Sequence, residues 1–173
     1  MAAPISILIT GPESSGKSTI SVQISKFLGA VVVKEYAREY LTDLSRPYSG
    51  RDFTKIVNQQ QKIEKDALDS DSKYVVLDTG PVVLSIWNKV KYNKNNPNIN
   101  SWLKESQYDF IFLCNPDFPW QPDPLREHPN NRKELFDLYK NELKKQNLSF
   151  DILEGNEKNR IDYAIKKVQQ RSS

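Results

Sequence analysis

Short apolar runs alternate along the chain with longer segments in which hydrophobic residues recur at helical spacing. The apolar runs predict five strands, at residues 5–10, 31–34, 74–78, 109–114 and 149–153. One-sided hydrophobic stripes predict four amphipathic helices, at residues 17–28, 52–70, 131–145 and 158–170. This alternation is typical of an α/β fold with a parallel sheet. Because the strands do not alternate polar with apolar residues, we expect both faces of each strand to be covered.

Three stretches interrupt this pattern. Residues 45–51 contain Pro47 and Gly50 and predict a loop, and residues 92–100 are rich in Asn and predict a flexible excursion. Residues 115–131 carry five prolines, which excludes a continuous helix and predicts a long loop that closes over a site. We find neither an internal repeat nor a linker, so we expect a single domain over residues 1–173, with a lid at about 115–131.

Composition narrows the class of protein. The 25 Lys and Arg residues are interspersed with 22 Asp and Glu residues, giving a net charge of +3, whereas a dedicated nucleic-acid binder usually clusters its basic residues. A single His and a single Cys exclude a Cys/His metal cluster, and Cys114 lies in an apolar run where we expect a buried, inert thiol. The N-terminal sequence lacks a signal peptide or a membrane span, so we expect a cytoplasmic protein with neither a nucleic-acid nor a membrane partner.

The segment from Gly11 to Ser18 matches the phosphate-binding loop pattern G-x-x-x-x-G-K-[ST] in full. It follows a predicted strand and precedes an amphipathic helix, where main-chain N–H groups and the helix dipole attract phosphate. We expect Lys17 to reach the β- and γ-phosphates and the Ser18 hydroxyl to ligate Mg²⁺. The residues predicted to bind ATP are Gly11, Glu13, Ser14, Ser15, Gly16, Lys17, Ser18 and Thr19.

Two carboxylates follow predicted strands, at the sheet edge where α/β proteins bind ligands. Asp78 ends an apolar strand as a Walker B acid does and is predicted to support the metal; alternatively, it caps the next helix. Glu35 is predicted to accept the proton of an acceptor hydroxyl, although Asp78 remains an alternative base. Arg38 lies one helical turn after Glu35 and is predicted to bind a substrate oxygen or phosphate; alternatively, the two form a surface ion pair.

The proline-rich segment places Arg126 and Arg132 before and at the start of the next helix. We predict that both belong to the lid and neutralise charge on the transferring phosphoryl group; alternatively, they are ordinary surface arginines. Trp120 either packs the lid hinge or stacks on a base, and we do not expect His128 to be catalytic. Elsewhere, Trp87 falls on an apolar helical stripe and is predicted to pack in the core.

These motifs together resemble the ribosylnicotinamide kinase domain of NadR-type proteins of NAD metabolism, within the P-loop kinases and AAA-like ATPases. The matching pieces are residues 11–18, the Glu-Tyr-Ala-Arg-Glu-Tyr box at 35–40, Gln61, Leu77-Asp78-Thr79 and the segment 120–126. The resemblance covers nearly the whole chain. It implies a nucleoside-kinase-like fold whose five parallel strands have the order 2-3-1-4-5, with Glu35, Tyr36, Arg38 and Gln61 on the substrate side.

The resemblance also implies ATP- and Mg²⁺-dependent phosphorylation of nicotinamide riboside to nicotinamide mononucleotide. Because the chain begins at the first strand, we expect only the kinase half of the longer NadR-type proteins. Arg38 would also suit a nucleoside monophosphate as acceptor, so that class of kinase stays open, as does a regulatory ATPase without a small acceptor. A GTPase is disfavoured because Asn88-Lys89-Val90-Lys91 lacks the Asp of the guanine-binding motif.

Overall fold

The computed structural model describes residues 3–126 and 130–171. The strands are β1 (Ile5–Thr10), β2 (Val31–Val33), β3 (Tyr74–Asp78), β4 (Phe110–Cys114) and β5 (Asp151–Leu153). The helices are α1 (Lys17–Leu28), α2 (Tyr36–Thr42), α3 (Gly50–Leu68), α4 (Pro81–Tyr92), α5 (Pro97–Glu105), α6 (Arg132–Lys145) and α7 (Glu157–Arg171).

The five strands form one parallel sheet in the order β2-β3-β1-β4-β5, which confirms the predicted fold and strand order. β1 and β3 pair in register from Ile5 with Tyr74 to Ile9 with Asp78. The central strands are almost entirely buried because helices pack on both faces. The carboxyl ends of β1 and β3 therefore emerge side by side, with Ile9 paired to Asp78, which places the loops that follow at one edge.

Apolar side chains of the sheet divide between two faces. One face packs against α4 and α6, and the other against α1 and α7, where Ile20, Ile24 and Val168 are buried. A third cluster joins α2, α3, α4 and α5 through Ala37, Phe53, Leu84, Ile99 and Trp102. The site at the carboxyl edge therefore rests on helices that are themselves anchored in apolar clusters.

Two expectations from the sequence are wrong, one about the edge strands and one about residues 92–100. β2 and β5 are short edge strands in which only Val33 and Leu153 are buried, so they are not covered on both faces. The predicted flexible excursion at 92–100 instead contains the start of α5. The Asn96 side chain accepts hydrogen bonds from the Asn98 and Ile99 amides, and Pro97 occupies the first turn, so a polar stretch begins a helix.

Candidate functional site

The phosphate-binding loop runs from the end of β1 to the start of α1. Its two glycines are required by their surroundings: Gly11 has φ 140°, and a Cβ there would lie 2.7 Å from the Cys114 carbonyl oxygen. Gly16 has φ 83°, and a Cβ there would lie 2.8 Å from the Phe118 ring. Ser14 also adopts a positive φ of 53°, which is uncommon for a residue with a side chain. The loop therefore has a tightly determined backbone.

Lys17 and Ser15 are both bonded to the carbonyl of Pro12. Ser15 Oγ and Lys17 Nζ each donate to that oxygen at 2.7 Å, so the ammonium group lies over the loop. The N terminus of α1 has no acidic residue in its first turn and no side-chain capping bond from the described residues. Its main-chain amides and dipole thus suit an anion, which is the chemistry that the loop motif predicts.

Asp78 is buried at the end of β3, beside the phosphate-binding loop. Burial raises the pKa of Asp78, whereas a hydrogen bond from the Ser18 side chain and the charges of Lys17 and Arg38 lower it. Within the described structure its Oδ1 has no hydrogen-bond partner. Thr79, which follows, has φ 99°, a strained conformation for a β-branched residue and one that clusters at functional sites.

The pair of Ser18 and Asp78 fits a magnesium ion that is bound together with a nucleotide. Mg²⁺ in such sites takes one or two protein oxygens and completes its shell with phosphate and water. The Ser18 hydroxyl and the unpaired, buried Asp78 carboxylate oxygen are oxygen donors of this kind. In the described part of the chain there is no group of three or more His, Cys, Asp or Glu residues that could hold a metal ion without a nucleotide.

Glu35 occupies the N-cap position of α2 and lines the same cavity as Lys17. Burial raises the pKa of Glu35, and the charge of Asp78 raises it further, while Lys17 and Arg38 lower it. These mutual effects place Glu35, Lys17, Asp78 and Arg38 within electrostatic reach of one another. A carboxylate whose pKa is raised in a cavity is suited to accept a proton near neutral pH.

The cavity has a volume of about 690 Å³ and extends from the phosphate-binding loop to a chamber between α2, α4 and α6. On the chamber side, Trp87 Nε1 donates to the Tyr48 hydroxyl at 3.1 Å, and their rings meet edge to face at 5.5 Å. Trp87 was predicted to pack in the core; it does contact Phe53, but it also lines the cavity. The chamber is thus walled by aromatic rings that suit a flat ligand.

Cationic side chains line the chamber as well. Arg38 is paired with Asp123 at 2.9 Å, and Arg46 is paired with Asp52 at 2.8 Å. The hydrogen bonds from Arg46 and Ser49 hold the pKa of Asp52 far below its usual range. Two of the cations that line the chamber are therefore partly neutralised by carboxylates of the chain itself.

The described part of the predicted lid, residues 115–126 and 130–131, contains neither helix nor strand. It is attached to the phosphate-binding loop by bonds from Trp120 Nε1 to Glu13 Oε1 and from the Gln121 amide to Ser14 Oγ. Arg132, the first residue of α6, adds a bond from its Nη1 to the Ser14 carbonyl. Arg126 lines the cavity and donates to the Gln121 carbonyl. Residues 127–129 of the predicted lid, His128 included, lie outside the described residues.

Not every predicted residue meets at the cavity. All eight residues predicted to bind ATP line it, together with Glu35, Arg38 and Arg126, whereas Tyr36, Gln61, Asp78 and Arg132 do not belong to its lining. Gln60, the neighbour of Gln61, is the buried glutamine: it accepts from the Tyr36 amide at 2.8 Å and donates to the Lys34 carbonyl. It thereby fixes the start of α2, and with it the position of Glu35.

Some residues that line the cavity were not predicted from the sequence as site residues. Tyr139 of α6 is buried, lines the cavity and has its pKa raised by burial and by the charges of Glu35 and Glu13. It belongs to a helical stripe of apolar residues, which looks the same whether a tyrosine packs in a core or faces a ligand. Arg46 had a weak signal, because an arginine before Ser-x-x-Asp is a plausible partner for the capping acid.

The chain is similar to known proteins in both sequence and fold. The AAA domain family matches residues 6–160, which is most of the chain. The chain belongs to this family. It is 26% identical over 152 residues to the trifunctional NAD biosynthesis/regulator protein NadR of Escherichia coli (strain K12), a match that covers 83% of this chain and 37% of NadR. The AAA domain of this protein therefore spans little more than a third of the length of that relative.

Solved structures share the fold of this AAA domain. A crystal structure of NadR protein in complex with NR superposes with a TM-score of 0.83 at 20% identity, covering 96% of this chain and 51% of that one. Deoxyadenosine kinase from M. mycoides, solved with the products dCMP and dCDP, has a TM-score of 0.65 at 19% identity, covering 95% and 99% of the two chains. The resemblance to NadR seen in the sequence motifs is confirmed by these matches. Among the described helices, none has the length and apolar character needed to cross a membrane.

Proposed function

We propose that this chain is an ATP-dependent kinase that phosphorylates a ribose hydroxyl of a nucleoside, with nicotinamide riboside as the first candidate acceptor. The observation that carries the proposal is the cavity that the phosphate-binding loop shares with a half-buried carboxylate, Glu35, which lies within electrostatic reach of Lys17. The relatives support it, since their names include a NAD biosynthesis protein, a complex with NR and a nucleoside kinase.

In the proposed reaction, the acceptor hydroxyl oxygen forms a bond to the γ-phosphorus of ATP. The bond between that phosphorus and the β–γ bridging oxygen breaks, and the hydroxyl proton passes to the Glu35 carboxylate. The products are ADP and the nucleoside monophosphate. Lys17 and the loop amides bind the phosphates, and Arg126 and Arg132 stabilise charge on the transferring group from the lid at about 115–131.

A magnesium ion bound together with the nucleotide would neutralise the charge of its phosphates. Ser18 and Asp78 are the residues that would ligate or support it, as their oxygen donors allow. Asp78 is thus assigned to the magnesium ion, and it does not line the cavity. Glu35 lines the cavity between the phosphate-binding loop and the chamber, so Glu35 is the better placed proton acceptor.

The acceptor base is proposed to lie against Tyr48 and Trp87. A nicotinamide ring attached to ribose is flat and positively charged, and aromatic faces attract such cations. Arg38, which lines the chamber, is proposed to bind a ribose oxygen, whereas Tyr36 and Gln61 lie outside the lining of the cavity. The whole chain is proposed to act as one domain, in the cytoplasm, without a nucleic-acid or membrane partner.

A nucleoside monophosphate is the second candidate acceptor. The observation that favours it is the set of cations that lines the chamber, namely Arg38, Arg46 and Lys91. Arg38 and Arg46 are each paired with a carboxylate, however, which leaves less positive charge for a second phosphate. We therefore place the nucleoside first.

The test is release of ADP in the presence of each acceptor. The purified chain with ATP and Mg²⁺ is given nicotinamide riboside, adenosine, thymidine or nicotinamide mononucleotide, or no acceptor. The proposal expects nicotinamide riboside to give the highest kcat/KM and a stoichiometric monophosphate product. Faster ADP release with nicotinamide mononucleotide would favour the second candidate. Slow ADP release that no acceptor stimulates would contradict both and favour a regulatory ATPase.

A further inference from the structure

Arg160 lies in the first turn of α7 and is the largest of the fully buried side chains in the described structure, with 1% of its surface exposed. Arginine is almost never buried unless its charge is paired and its N–H groups are bonded. No motif in the sequence marks Arg160, and the proposed reaction does not use it. Its burial beside the nucleotide site therefore calls for an explanation.

The guanidinium group of Arg160 joins three separate segments of the chain. Nη1 donates to the Ser15 carbonyl in the phosphate-binding loop at 3.0 Å. Nη2 donates to the Asn115 carbonyl at 3.0 Å and to Asp117 Oδ2 at 2.8 Å, at the start of the lid. Nε donates to the Gly155 carbonyl, between β5 and α7, at 2.9 Å.

The same guanidinium group also stacks on an aromatic ring. Its central carbon lies 4.4 Å from the centroid of Phe118, and the Phe118 ring in turn closes against Gly16, where a Cβ would come within 2.8 Å. Arg160 thus acts on the loop twice, directly at Ser15 and through Phe118 at Gly16. Both contacts fall on the turn that leads into α1.

These contacts fix the orientation of one peptide group. The carbonyl of Ser15 and the amide N–H of Gly16 belong to the same planar unit, so a bond that fixes the carbonyl also fixes the direction of that N–H. Main-chain amides of this loop are the donors that bind phosphate oxygens. The orientation of a phosphate-binding donor is therefore set by a side chain that need not touch the nucleotide.

We infer that Arg160 is a positioning residue for nucleotide binding, which orients the Ser15–Gly16 peptide and couples it to the start of the lid. This inference rests on the ATP-binding part of the proposed function and is independent of the acceptor. Lysine cannot replace it, because an ammonium group is a compact charge and lacks the planar set of five donors that spans four oxygens.

The test compares two arginines of the same helix. Arg171 also forms an ion pair, with Asp109, and lies over an aromatic ring, Phe110, but it is exposed and sits at the opposite end of β4. Arg160→Lys and the matched control Arg171→Lys are measured by calorimetry with the ATP analogue AMP-PNP plus Mg²⁺, by thermal unfolding, and by KM and kcat for ATP and acceptor. Asp117→Asn is a milder third variant that retains the arginine.

For Arg160→Lys we expect AMP-PNP affinity and kcat/KM for ATP to fall about tenfold or more, while KM for the acceptor changes less than twofold. Arg171→Lys should match the wild type, and Asp117→Asn should lose nucleotide affinity by a smaller factor. If Arg160→Lys does not fold, the loss in Asp117→Asn decides. A lowered melting temperature with unchanged nucleotide affinity in the folded variants would overturn the inference and leave Arg160 a purely structural residue.

The two proposals fail in different ways. If the wild type binds AMP-PNP but phosphorylates none of the acceptors, the proposed function is wrong, and the binding measurements on Arg160 stand unaffected. If the wild type phosphorylates a nucleoside and Arg160→Lys binds AMP-PNP as the wild type does, only the inference about Arg160 is wrong. A wild-type protein that binds no nucleotide would contradict both.

Discussion

Glu35 and Glu64 are two glutamates whose pKa values are raised by burial, in very different surroundings. Glu35 lines the cavity among the charges of Lys17, Asp78, Arg38 and Asp123. Glu64 is a residue of α3 that faces α5; its Oε1 accepts from Tyr108 at 2.6 Å and from Trp102 at 3.2 Å, and burial raises its pKa to about 7.

The contrast shows that a raised pKa does not identify a reactive carboxylate by itself. Glu64 has the shift, but it is enclosed by an apolar cluster and by donors that belong to the chain. Glu35 has a raised pKa, lines a cavity and is surrounded by charged groups of both signs. We therefore assign chemistry to Glu35 and stability to Glu64, an assignment that four substitutions test.

The largest effect is expected from Glu35→Gln. If Glu35 accepts the acceptor proton, kcat should fall by roughly 10²–10⁴, while AMP-PNP affinity and the melting temperature stay near the wild type. Because the wild-type base loses activity as pH falls through its raised pKa, the acid limb of the kcat–pH profile should disappear in the variant. Glu39→Gln, on the exposed side of α2, is the control. An unchanged kcat would exclude Glu35 as the base.

Lys17→Ala removes the cation that acts most strongly on Glu35. We expect kcat to fall by roughly 10²–10³, since one preorganised charge on the phosphates is lost. The pKa of Glu35 should also rise further, because Lys17 lowers it. Steady-state kinetics with ATP at several pH values measures both, and Lys26→Ala, later in α1, is the control. Near-normal turnover would refute the assignment of the phosphate-binding loop.

Glu64→Gln should change stability and leave turnover alone. The folded pKa of about 7 exceeds the usual 4.5, so this group's contribution to stability is complete below pH 4.5 and is lost as pH rises through 7. The loss corresponds to roughly 3 kcal/mol in the free energy of unfolding. Urea unfolding at pH 4.5, 6 and 8 should show a flatter pH dependence in the variant than in Glu105→Gln or the wild type. Equal slopes would contradict the assignment.

The smallest effect is expected from Arg38→Gln. Arg38 is about half exposed and paired with Asp123, so its loss should cost less than about fivefold in kcat/KM. Since Arg38 lowers the pKa of Glu35, the acid limb of the pH profile should move to higher pH. Arg51→Gln, an exposed position on α3, is the control. If the acid limb of the pH profile does not move, a group other than Glu35 is responsible for it.

The sequence predicted the nucleotide side of the cavity much better than the acceptor side. The loop from Gly11 to Ser18 could be found because its function depends on main-chain geometry, which demands glycine and lysine at fixed spacing. The acceptor side depends on how α2, α4 and α6 pack. Trp87 and Tyr139 face the cavity for that reason, and in the sequence they look like ordinary core residues.

The fold was predictable to a similar degree. The five strands and their flanking helices follow from hydrophobic period, whereas the strand order came from the resemblance to NadR-type domains. The hydrophobic pattern failed at two local features. The edge strands β2 and β5 were predicted to be covered on both faces, but each is too short to bury more than one residue. The polar segment before α5 needed a cap, Asn96, to become a helix start.

The helix that begins at that cap limits how the protein can be shortened. The stretch 93–105 looks dispensable, since asparagines and lysines fill its first half. Excising it would also delete Ile99, Trp102 and Leu103, which are buried in two apolar clusters, and would leave Glu64 with a single donor, Tyr108. A shortened variant would therefore expose apolar surface beside the Glu64 carboxyl group, which would have lost a hydrogen-bond donor. We expect such a variant to be insoluble.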